Sequence, residues 1–385
     1  MRLSNRVQQI ASSQSLAMAA RAKQMQADGI DVISMSLGEP DMDTPAPVRR
    51  AAQEAIDNHW SHYGPVPGLL SLREAVAAYH NHDAISYTGA DVIVSIGAKM
   101  AIYNAIQTLI NQGDEVIIPM PSWVSYTEMV KLAQGVTIPV QTRFEDRYCL
   151  TPQQLRAALS ARTRMLILCS PNNPTGSVYS REQLAALVDV LREYPEVTIL
   201  SDEIYNVLSY GQPAVSLAAF PEIADRLVLI NGVSKAYAMT GYRIGWLLSK
   251  NREFINACTR LQGQQLTCAT MVAQKAAEAA LTGSQDCVEE IKKVFAARRE
   301  QICRLAAEIP AFRFTEPQGA FYLFPDVSAI GTGDEVAERL LDKAHVAVVS
   351  GSAFGCPECI RLSYAISTEE IEEAMRRIKE ELQNG

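Results

Sequence analysis

The sequence lacks several features that mark common protein classes. No apolar stretch approaches the ~18 residues that a transmembrane helix needs, so we expect no membrane span. The 35 Lys and Arg residues are outnumbered by 43 Asp and Glu residues, and the formal net charge of −8 argues against nucleic-acid binding. The N-terminal segment, Met1 to Gln26, contains no continuous apolar run, so it is not a secretory signal. We therefore expect a cytoplasmic protein without a membrane or nucleic-acid partner.

Cysteine is sparse for a disulfide-stabilised protein, because eight cysteines are scattered through 385 residues. Two of them form the motif Cys356-Pro-Glu-Cys359. A structural zinc site needs four ligands, and the sequence offers neither a second such motif nor a spaced histidine pair. We therefore expect no metal and interpret the motif as a turn before a strand, with zinc binding and thiol redox chemistry as less favoured alternatives.

Hydrophobic residues, in contrast, make up 48% of the chain, which is enough for a sizeable core. At roughly 150 residues per domain, the length favours two or three domains. The middle of the chain alternates short apolar runs with longer helical patterns, which is typical of a mostly parallel sheet covered by helices. The predicted strands are Asp91–Ser95, Glu115–Pro119, Arg164–Cys169, Thr198–Ser201 and Leu227–Asn231, and the predicted helices include Ala98–Asn111 and Arg181–Glu193.

The C-terminal third has a different pattern. Its predicted elements are a long charged helix, three strands and a last helix, at Gln285–Ile309, Gly319–Phe324, Val346–Val349, Ile360–Tyr364 and Thr368–Leu382. This order predicts a smaller α+β unit. We expect the N-terminal arm, Met1–Ile33, to belong to it.

The most informative stretch runs from Gly232 to Gly245 and contains Lys235 and Arg243. Lys235 follows a predicted strand in a loop of small residues, and a partly dry loop lowers the pKa of a lysine toward its neutral, nucleophilic form. Arg243 stands near glycines between aromatic and apolar neighbours, which suits an arginine that grips a phosphate. For either residue in isolation, a surface lysine and an ion-pairing arginine are the alternatives.

Other short motifs accompany this run, at Leu37–Asp41, Tyr63–Gly68, Ser95–Lys99, Pro121–Trp123, Ser170–Gly176, Leu200–Tyr205 and Ile360–Tyr364. In spelling and order they resemble the motifs of class I/II aminotransferases, the pyridoxal-phosphate (PLP) enzymes of fold type I. The resemblance extends from Leu3 to the C-terminus. It implies an α/β fold with a large PLP-binding domain at 46–285 and a smaller domain formed by the arm at 1–45 and residues 286–385.

The resemblance assigns most of these motifs to the cofactor. Lys235 would carry PLP as a Schiff base and move the catalytic proton, Asp202 would keep the pyridine nitrogen protonated, and Tyr205 would donate to the phenolic oxygen. The other implied cofactor contacts are Gly97, Ala98, Lys99, Trp123, Asn173, Ser234, Arg243 and Tyr63 of the neighbouring subunit. The residues alone leave two alternatives open, with Asp202 as a helix N-cap and Trp123 as a core side chain.

The same resemblance implies substrate contacts from Gly38, Trp123, Asn173 and Arg361. Arg361 would pair with the α-carboxylate, although a solvent ion pair is its alternative. Because Tyr63 would reach the partner's phosphate, the active sites would be shared within an obligatory homodimer. Two positions depart from the family pattern: Gly232 stands where many relatives have a phosphate-binding serine, and Tyr242 where they often have tryptophan. Gly232 puts one phosphate contact in question, and Ser234 is the candidate to compensate.

The spellings of Pro121–Tyr126, Ser170–Gly176 and Ala238–Trp246 most resemble bacterial aspartate aminotransferases. We therefore expect ping-pong amino transfer between aspartate or glutamate and a 2-oxo acid. The candidates for binding the distal carboxylate lie in the arm, at Arg6, Ser13, Ser15 and Arg21. An aromatic or broad-range aminotransferase is the alternative, and a carbon–sulfur lyase is less favoured. The absence of a basic N-terminal domain counts against a PLP-binding regulator, and the absence of GxGxxG counts against a nicotinamide dehydrogenase.

Overall fold

The computed structural model describes residues 1–11 and 14–384. Its α-helices are α1 (Asn5–Gln8), α2 (Gln14–Ala27), α3 (Ala46–Asp57), α4 (Leu70–His80), α5 (Ala98–Leu109), α6 (Ser125–Leu132), α7 (Pro152–Ala158), α8 (Arg181–Leu191), α9 (Arg252–Gln265), α10 (Met271–Thr282), α11 (Asp286–Ala306), α12 (Gly333–Arg339) and α13 (Thr368–Asn384). Its strands are β1 (Ile33–Ser34), β2 (Val92–Ser95), β3 (Glu115–Met120), β4 (Val136–Gln141), β5 (Thr163–Cys169), β6 (Thr198–Asp202), β7 (Leu227–Gly232), β8 (Gly245–Leu248), β9 (Tyr322–Leu323), β10 (Val346–Ala347), β11 (Val349–Ser350) and β12 (Ile360–Ser363).

Seven strands form the central sheet, in the order β2-β8-β7-β6-β5-β3-β4. Only β8 runs antiparallel to its neighbours, and the other described pairs are parallel. The predicted mostly parallel sheet is therefore confirmed, and each predicted central strand ends within one residue of its predicted bounds. The sequence did not predict β4 or β8, because β4 is a partly exposed edge strand and β8 spans only four residues.

Helices cover both faces of this sheet, as predicted. Alternate residues of a strand face opposite sides, so Val92 and Val94 pack into one apolar cluster while Ile93 packs into another. The first cluster contains residues of α3, α4, α8 and α10, and the second contains residues of α5, α6 and α9. Burial on both faces explains why these strands have continuous apolar sequences.

Residues of the C-terminal third form most of a third apolar cluster, around α11 and α13. β9, β11 and β12 make a small antiparallel sheet, while β1 of the arm pairs in parallel with β10. This pairing supports placing the arm with the C-terminal unit, although the domain limits at 45 and 285 stay a prediction. No helix in the described ranges is long and apolar enough to cross a membrane.

The Cys356–Cys359 segment forms a turn directly before β12, as the sequence predicted. The Cys359 N–H donates to the Cys356 carbonyl at 3.1 Å and closes the turn. The turn follows a short helical turn at Gly351–Phe354, and β12 then carries Arg361 back into the protein.

Candidate active site

A cavity of about 360 Å³ opens at the carboxyl ends of the parallel strands. Cys169 ends β5 and Asp202 ends β6, and both line it. Ligands of open α/β sheets bind at this end, because the loops that follow the strands diverge there. The C-terminal unit contributes Tyr322 and Arg361, so the cavity lies between the two units. Its lining includes the predicted residues Gly38, Ala98, Lys99, Trp123, Asn173, Asp202, Tyr205, Ser234, Lys235, Arg243 and Arg361.

Asp202 is a buried carboxylate that accepts hydrogen bonds but lacks a lysine or arginine salt bridge among the described residues. Its Oδ2 accepts from the Tyr126 hydroxyl at 2.6 Å, and its Oδ1 accepts from the Ile204 N–H at 3.2 Å. Burial raises the pKa of Asp202 to about 6, against the opposing effects of these hydrogen bonds and of Lys235. Because no α-helix begins here, the helix N-cap alternative is wrong. A cationic N–H group in the cavity would give this carboxylate the charged partner that burial calls for.

Lys235 follows β7 and extends into the cavity. Its Nζ donates to the Gly38 carbonyl at 2.5 Å. Burial lowers the pKa of Lys235 to about 8, and the positive charges of Arg243 and Arg361 act in the same direction, while Glu39 and Asp202 oppose them. The lowered pKa increases the fraction of the neutral amine near neutral pH, and the neutral amine is the form that nucleophilic attack requires.

The N-terminus of α5 and Arg243 converge on one end of the cavity. Gly97 precedes α5 with φ +87°, and Arg243 has a left-handed backbone with φ 56°. A Cβ atom on Gly97 would lie 2.6 Å from Arg243 Nη2, and one on Gly245 would lie 2.2 Å from the Ala98 nitrogen. Both glycines are needed for this close approach. Free N–H groups at a helix N-terminus beside a guanidinium form a cradle suited to a phosphate.

The structure explains the glycine at position 232. A Cβ atom there would lie 2.9 Å from both the Gly245 Cα and the Ile244 carbonyl oxygen. A serine at this position would push β7 and β8 apart, since Gly232 pairs with Gly245 in the sheet. Ser234, in contrast, lines the cavity and offers the hydroxyl that Gly232 lacks.

Arg361 and Asn173 meet on the opposite wall. Arg361 Nη1 donates to Asn173 Oδ1 at 3.0 Å, and Nη2 donates to the Ser36 carbonyl at 2.7 Å. The guanidinium carbon lies 4.5 Å from the Tyr322 ring and 4.9 Å from the Phe354 ring. The buried Nε has no hydrogen-bond partner among the described residues. This fixed, incompletely satisfied guanidinium suits a carboxylate ligand, and its burial excludes the solvent ion pair.

Two tyrosines contribute to the site without having been predicted. Tyr126 hydrogen-bonds Asp202, and Tyr322 shares a 2.9 Å hydrogen bond with Tyr205. Gly38 lies so close to Tyr322 that a Cβ atom would be 2.3 Å from its hydroxyl. Tyr126 ends the motif Pro121–Tyr126, three residues after Trp123, so the motif itself offered a signal that this tyrosine belongs to the site. Tyr322 lay within a predicted strand and gave none.

Trp123 and Lys99 line the same side of the cavity. Lys99 Nζ lies 4.8 Å from the Trp123 ring centroid, a distance typical of a cation–π contact. Burial, followed by the Arg243 charge, lowers the pKa of Lys99. Trp123 is half-buried and borders the cavity, which argues against a purely core role.

Tyr63 is the predicted residue that the single chain does not bring to its own cavity. Its side chain is 88% exposed, and it does not line the cavity. Gly97 does not line the cavity itself, but it lies directly against Arg243, which does.

An amine of lowered pKa, a buried carboxylate, an anion cradle and a carboxylate-binding arginine together define a site for a phosphorylated cofactor and an amino acid. The comparisons with known proteins agree with this class. The sequence profile for "Aminotransferase class I and II" matches residues 30–378. The chain is 44% identical to an aspartate aminotransferase of Bacillus sp. (strain YM-2), with 98% of both chains covered. It is 40% identical to an aspartate/prephenate aminotransferase of Nitrosomonas europaea, covering 98% of this chain and 99% of the relative.

Among solved structures, the aspartate aminotransferase of Thermus thermophilus with maleate matches with a TM-score of 0.95 and 37% identity, over 99% of this chain and all of the other. The chain therefore belongs to the aminotransferase class I and II family. It is a PLP-dependent transaminase with the fold of the aspartate aminotransferases, as the sequence predicted.

Proposed function

We propose that this transaminase prefers aspartate or glutamate with a 2-oxo acid, and that it acts as a cytoplasmic homodimer with shared active sites. The observation that carries the substrate proposal is the charge of the cavity. Lys99, Lys235, Arg243 and Arg361 line it, and Asp202 is the one acidic side chain among the described lining residues. Such a surplus of positive charge favours a substrate that brings two carboxylates along with the cofactor phosphate.

Each positively charged side chain in the cavity can be matched to one group of the substrate or the cofactor. Arg361 with Asn173 suits the α-carboxylate, Arg243 suits the phosphate, and Lys235 provides the covalent attachment. Lys99 is then available for the distal carboxylate of the substrate. The family resemblance instead assigns Lys99 to the phosphate, so substitution of Lys99 has to separate these two roles.

The arm candidates for the distal carboxylate have less support. Arg21 pairs with Asp342 at 2.6 Å, and both side chains are about half exposed. Ser13 and the side chain of Ser15 lie outside the described residues. Arg6 is exposed in the short helix α1. The arm does reach the rim of the site, since the Ala11 N–H donates to a Glu128 carboxylate oxygen on α6 at 3.1 Å.

We assign the reaction roles to residues in the following way. When bound, PLP supplies the electron sink for cleavage of a bond at the substrate Cα. The free amine of Lys235 would accept the proton from the substrate Cα, and burial, which lowers its pKa to about 8, favours the neutral base. Asp202 would pair with the protonated ring nitrogen of bound PLP, with the Tyr126 hydroxyl orienting its carboxylate. Arg361 and Asn173 fix the α-carboxylate, which sets the direction of the Cα–H bond.

A panel of amino acids assayed with 2-oxoglutarate tests the substrate proposal. Aspartate and glutamate should have the highest kcat/KM, because apolar side chains leave Lys99 without a counterion. The panel should include phenylalanine, tyrosine and, in the reverse direction, prephenate, since the Nitrosomonas europaea relative is an aspartate/prephenate aminotransferase. A higher kcat/KM for phenylalanine or tyrosine than for aspartate would refute the acidic preference without affecting the transaminase assignment.

The homodimer proposal rests on the exposed apolar surface around Tyr63. Ile56 on α3, Trp60, Tyr63 and Leu70 on α4 are large hydrophobic side chains exposed to solvent in the single chain. All four lie within residues 56–70, and exposed large apolar side chains are typical of protein interfaces. A partner packed there would cover them and could receive Tyr63 at its own phosphate cradle.

Subunit exchange tests the shared site directly. A Lys235→Ala subunit mixed with a Tyr63→Ala subunit should regain one working site per hybrid dimer, because the intact Tyr63 serves the partner's intact Lys235. Adding Arg361→Ala to the Tyr63 variant should abolish that recovery, since Arg361 acts in its own subunit. A lack of recovery in the first pair, or a monomer on sizing, would contradict shared sites.

A further inference from the structure

The turn at Cys356–Cys359 brings together three metal-binding donors. The Sγ atoms of Cys356 and Cys359 lie 3.4 Å apart, and a Glu358 carboxylate oxygen lies 3.2 Å from Cys356 Sγ. All three donor atoms lie within 4.8 Å of one another. The sequence argument against zinc searched for a second Cys or His pair, whereas the third donor lies inside the motif.

The backbone of this turn is fixed before any ligand binds. The carbonyls of residues 356–359 accept, in order, the N–H groups of Cys359, Gly333, Val327 and Gly351, at 2.7 to 3.1 Å. Gly333 and Gly351 pack so closely that a Cβ atom on either would lie 2.0 Å from a carbonyl oxygen of the turn. Because the backbone groups are satisfied internally, the turn holds the two sulfur atoms together with little further loss of entropy on binding.

Two of the three donor separations are close to those of a tetrahedral metal centre. With Zn–S bonds of about 2.3 Å and a Zn–O bond of about 2.0 Å, two sulfurs lie about 3.8 Å apart and sulfur and oxygen about 3.5 Å apart. The observed separations of 3.4 and 3.2 Å are a few tenths of an ångström shorter, so small side-chain rotations would open the site. Glu358 is exposed, whereas both cysteines are buried against Tyr148 and Phe354.

We infer that this turn binds one thiophilic divalent cation of the zinc class through Cys356, Cys359 and Glu358, with water as the fourth ligand. Glu358 provides the entry from solvent and keeps one side of the cation hydrated. Each cysteine loses its thiol proton as its metal–sulfur bond forms, so two protons leave per cation. Because protons compete with the cation for the two sulfur atoms, binding should strengthen as the pH rises.

The cation would lie behind the carboxylate-binding wall and not in the cavity, since none of its three ligands lines the cavity. The turn connects Phe354, which packs against Arg361, to β12, which carries Arg361. A bound cation would therefore join the two segments that hold this guanidinium, and it would stabilise the folded protein by mass action.

Cadmium and zinc titrations of the reduced PLP-loaded protein test the inference. We expect a thiolate-to-cadmium absorption band that saturates at one equivalent, release of two protons per cation, and a rise in Tm with either ion. Cys356→Ser and Cys359→Ser should remove the band. Glu358→Gln changes an exposed side chain and leaves no cavity in the core, so the variant should fold normally. It should weaken zinc binding by roughly tenfold. Cys303→Ser and Glu372→Gln are matched controls remote from the turn and should leave the band unchanged.

Three results would overturn the inference. The first is the absence of a cadmium band in the wild type when thiol titration of the unfolded protein shows that both cysteines are reduced. The second is a band that persists in both cysteine variants or an affinity unaffected by Glu358→Gln. The third is a Cys356–Cys359 disulfide in protein purified without reductant, together with no cadmium band after reduction, which would identify a redox pair.

Discussion

Replacing Lys99 with methionine removes one positive charge from the cavity and keeps most of the side-chain volume. Lys99 Nζ lies over the Trp123 ring, 4.8 Å from its centroid, and has no salt bridge with a carboxylate of the described chain. Burial and Arg243 both lower the pKa of Lys99, which shows that its charge is poorly compensated. A substrate carboxylate would supply the missing compensation.

The expected loss follows from the strength of one charge-assisted contact. Such a contact contributes roughly 1.5–3 kcal/mol, and every 1.4 kcal/mol is a factor of ten. In Lys99→Met, kcat/KM for aspartate should therefore fall roughly 10- to 150-fold. The value for phenylalanine should change little, because its side chain makes no ionic contact.

Initial rates with 2-oxoglutarate and the dissociation constant of PLP should be measured for the same variant. Lys379→Met is the matched control, since Lys379 pairs with Glu308 at 2.8 Å and does not line the cavity. An equal loss for aspartate and phenylalanine, accompanied by weaker PLP binding, would place Lys99 on the phosphate. That result would refute the assignment of Lys99 to the substrate side chain.

Three further predictions concern the cofactor and the arm. Borohydride reduction followed by mass spectrometry should locate PLP on Lys235, and Lys235→Ala should bind PLP only noncovalently; an adduct on Lys99 would contradict this. Asp202→Ala removes the carboxylate that would pair with the ring nitrogen of bound PLP, and loss of one partner of a buried charge pair costs roughly 3–5 kcal/mol. Turnover should therefore fall by orders of magnitude, and Asp202→Glu should retain more. Near-normal turnover in Asp202→Ala would show that another group holds the ring. Deleting residues 1–16 should raise KM for aspartate far more than for phenylalanine, whereas equal increases would indicate a general lid.

Asp202 also predicts a pH dependence in the PLP-free protein. Its pKa is about 6 in the folded state, against an ordinary value near 4, so the folded state binds the proton more tightly. The free energy of unfolding should therefore decline as the pH rises from about 4 to about 6. Asp202→Asn should remove this contribution in urea titrations, whereas the buried Glu203, whose pKa burial raises from 4.5 to about 7, should leave a decline between about pH 4.5 and pH 7. Identical pH profiles for wild type and Asp202→Asn would contradict the prediction.

The sequence by itself determined the large unit to a considerable extent. Continuous apolar runs such as those of β5 and β7 predict strands buried on both faces, because only such strands can bury every side chain. The run Gly232–Gly245 placed Lys235 after a strand, and the order of the motifs identified the family. These features are local in sequence, and local patterns are what periodicity and motifs can detect.

Only the tertiary structure decided which distant residues meet. Arg361 and Asn173 form a hydrogen bond across 188 residues, and Tyr322 reaches Tyr205 across 117 residues. No periodicity encodes such contacts, because they depend on how the C-terminal unit packs against the ends of the central strands. The lack of space for a side chain at Gly232 also depends on the tertiary structure, since it arises where β7 and β8 pair. The sequence thus determined the strands and the position of Lys235, whereas packing determined the burial that shifts the pKa values, the contact of Arg361 with Asn173 and the positive charge of the cavity.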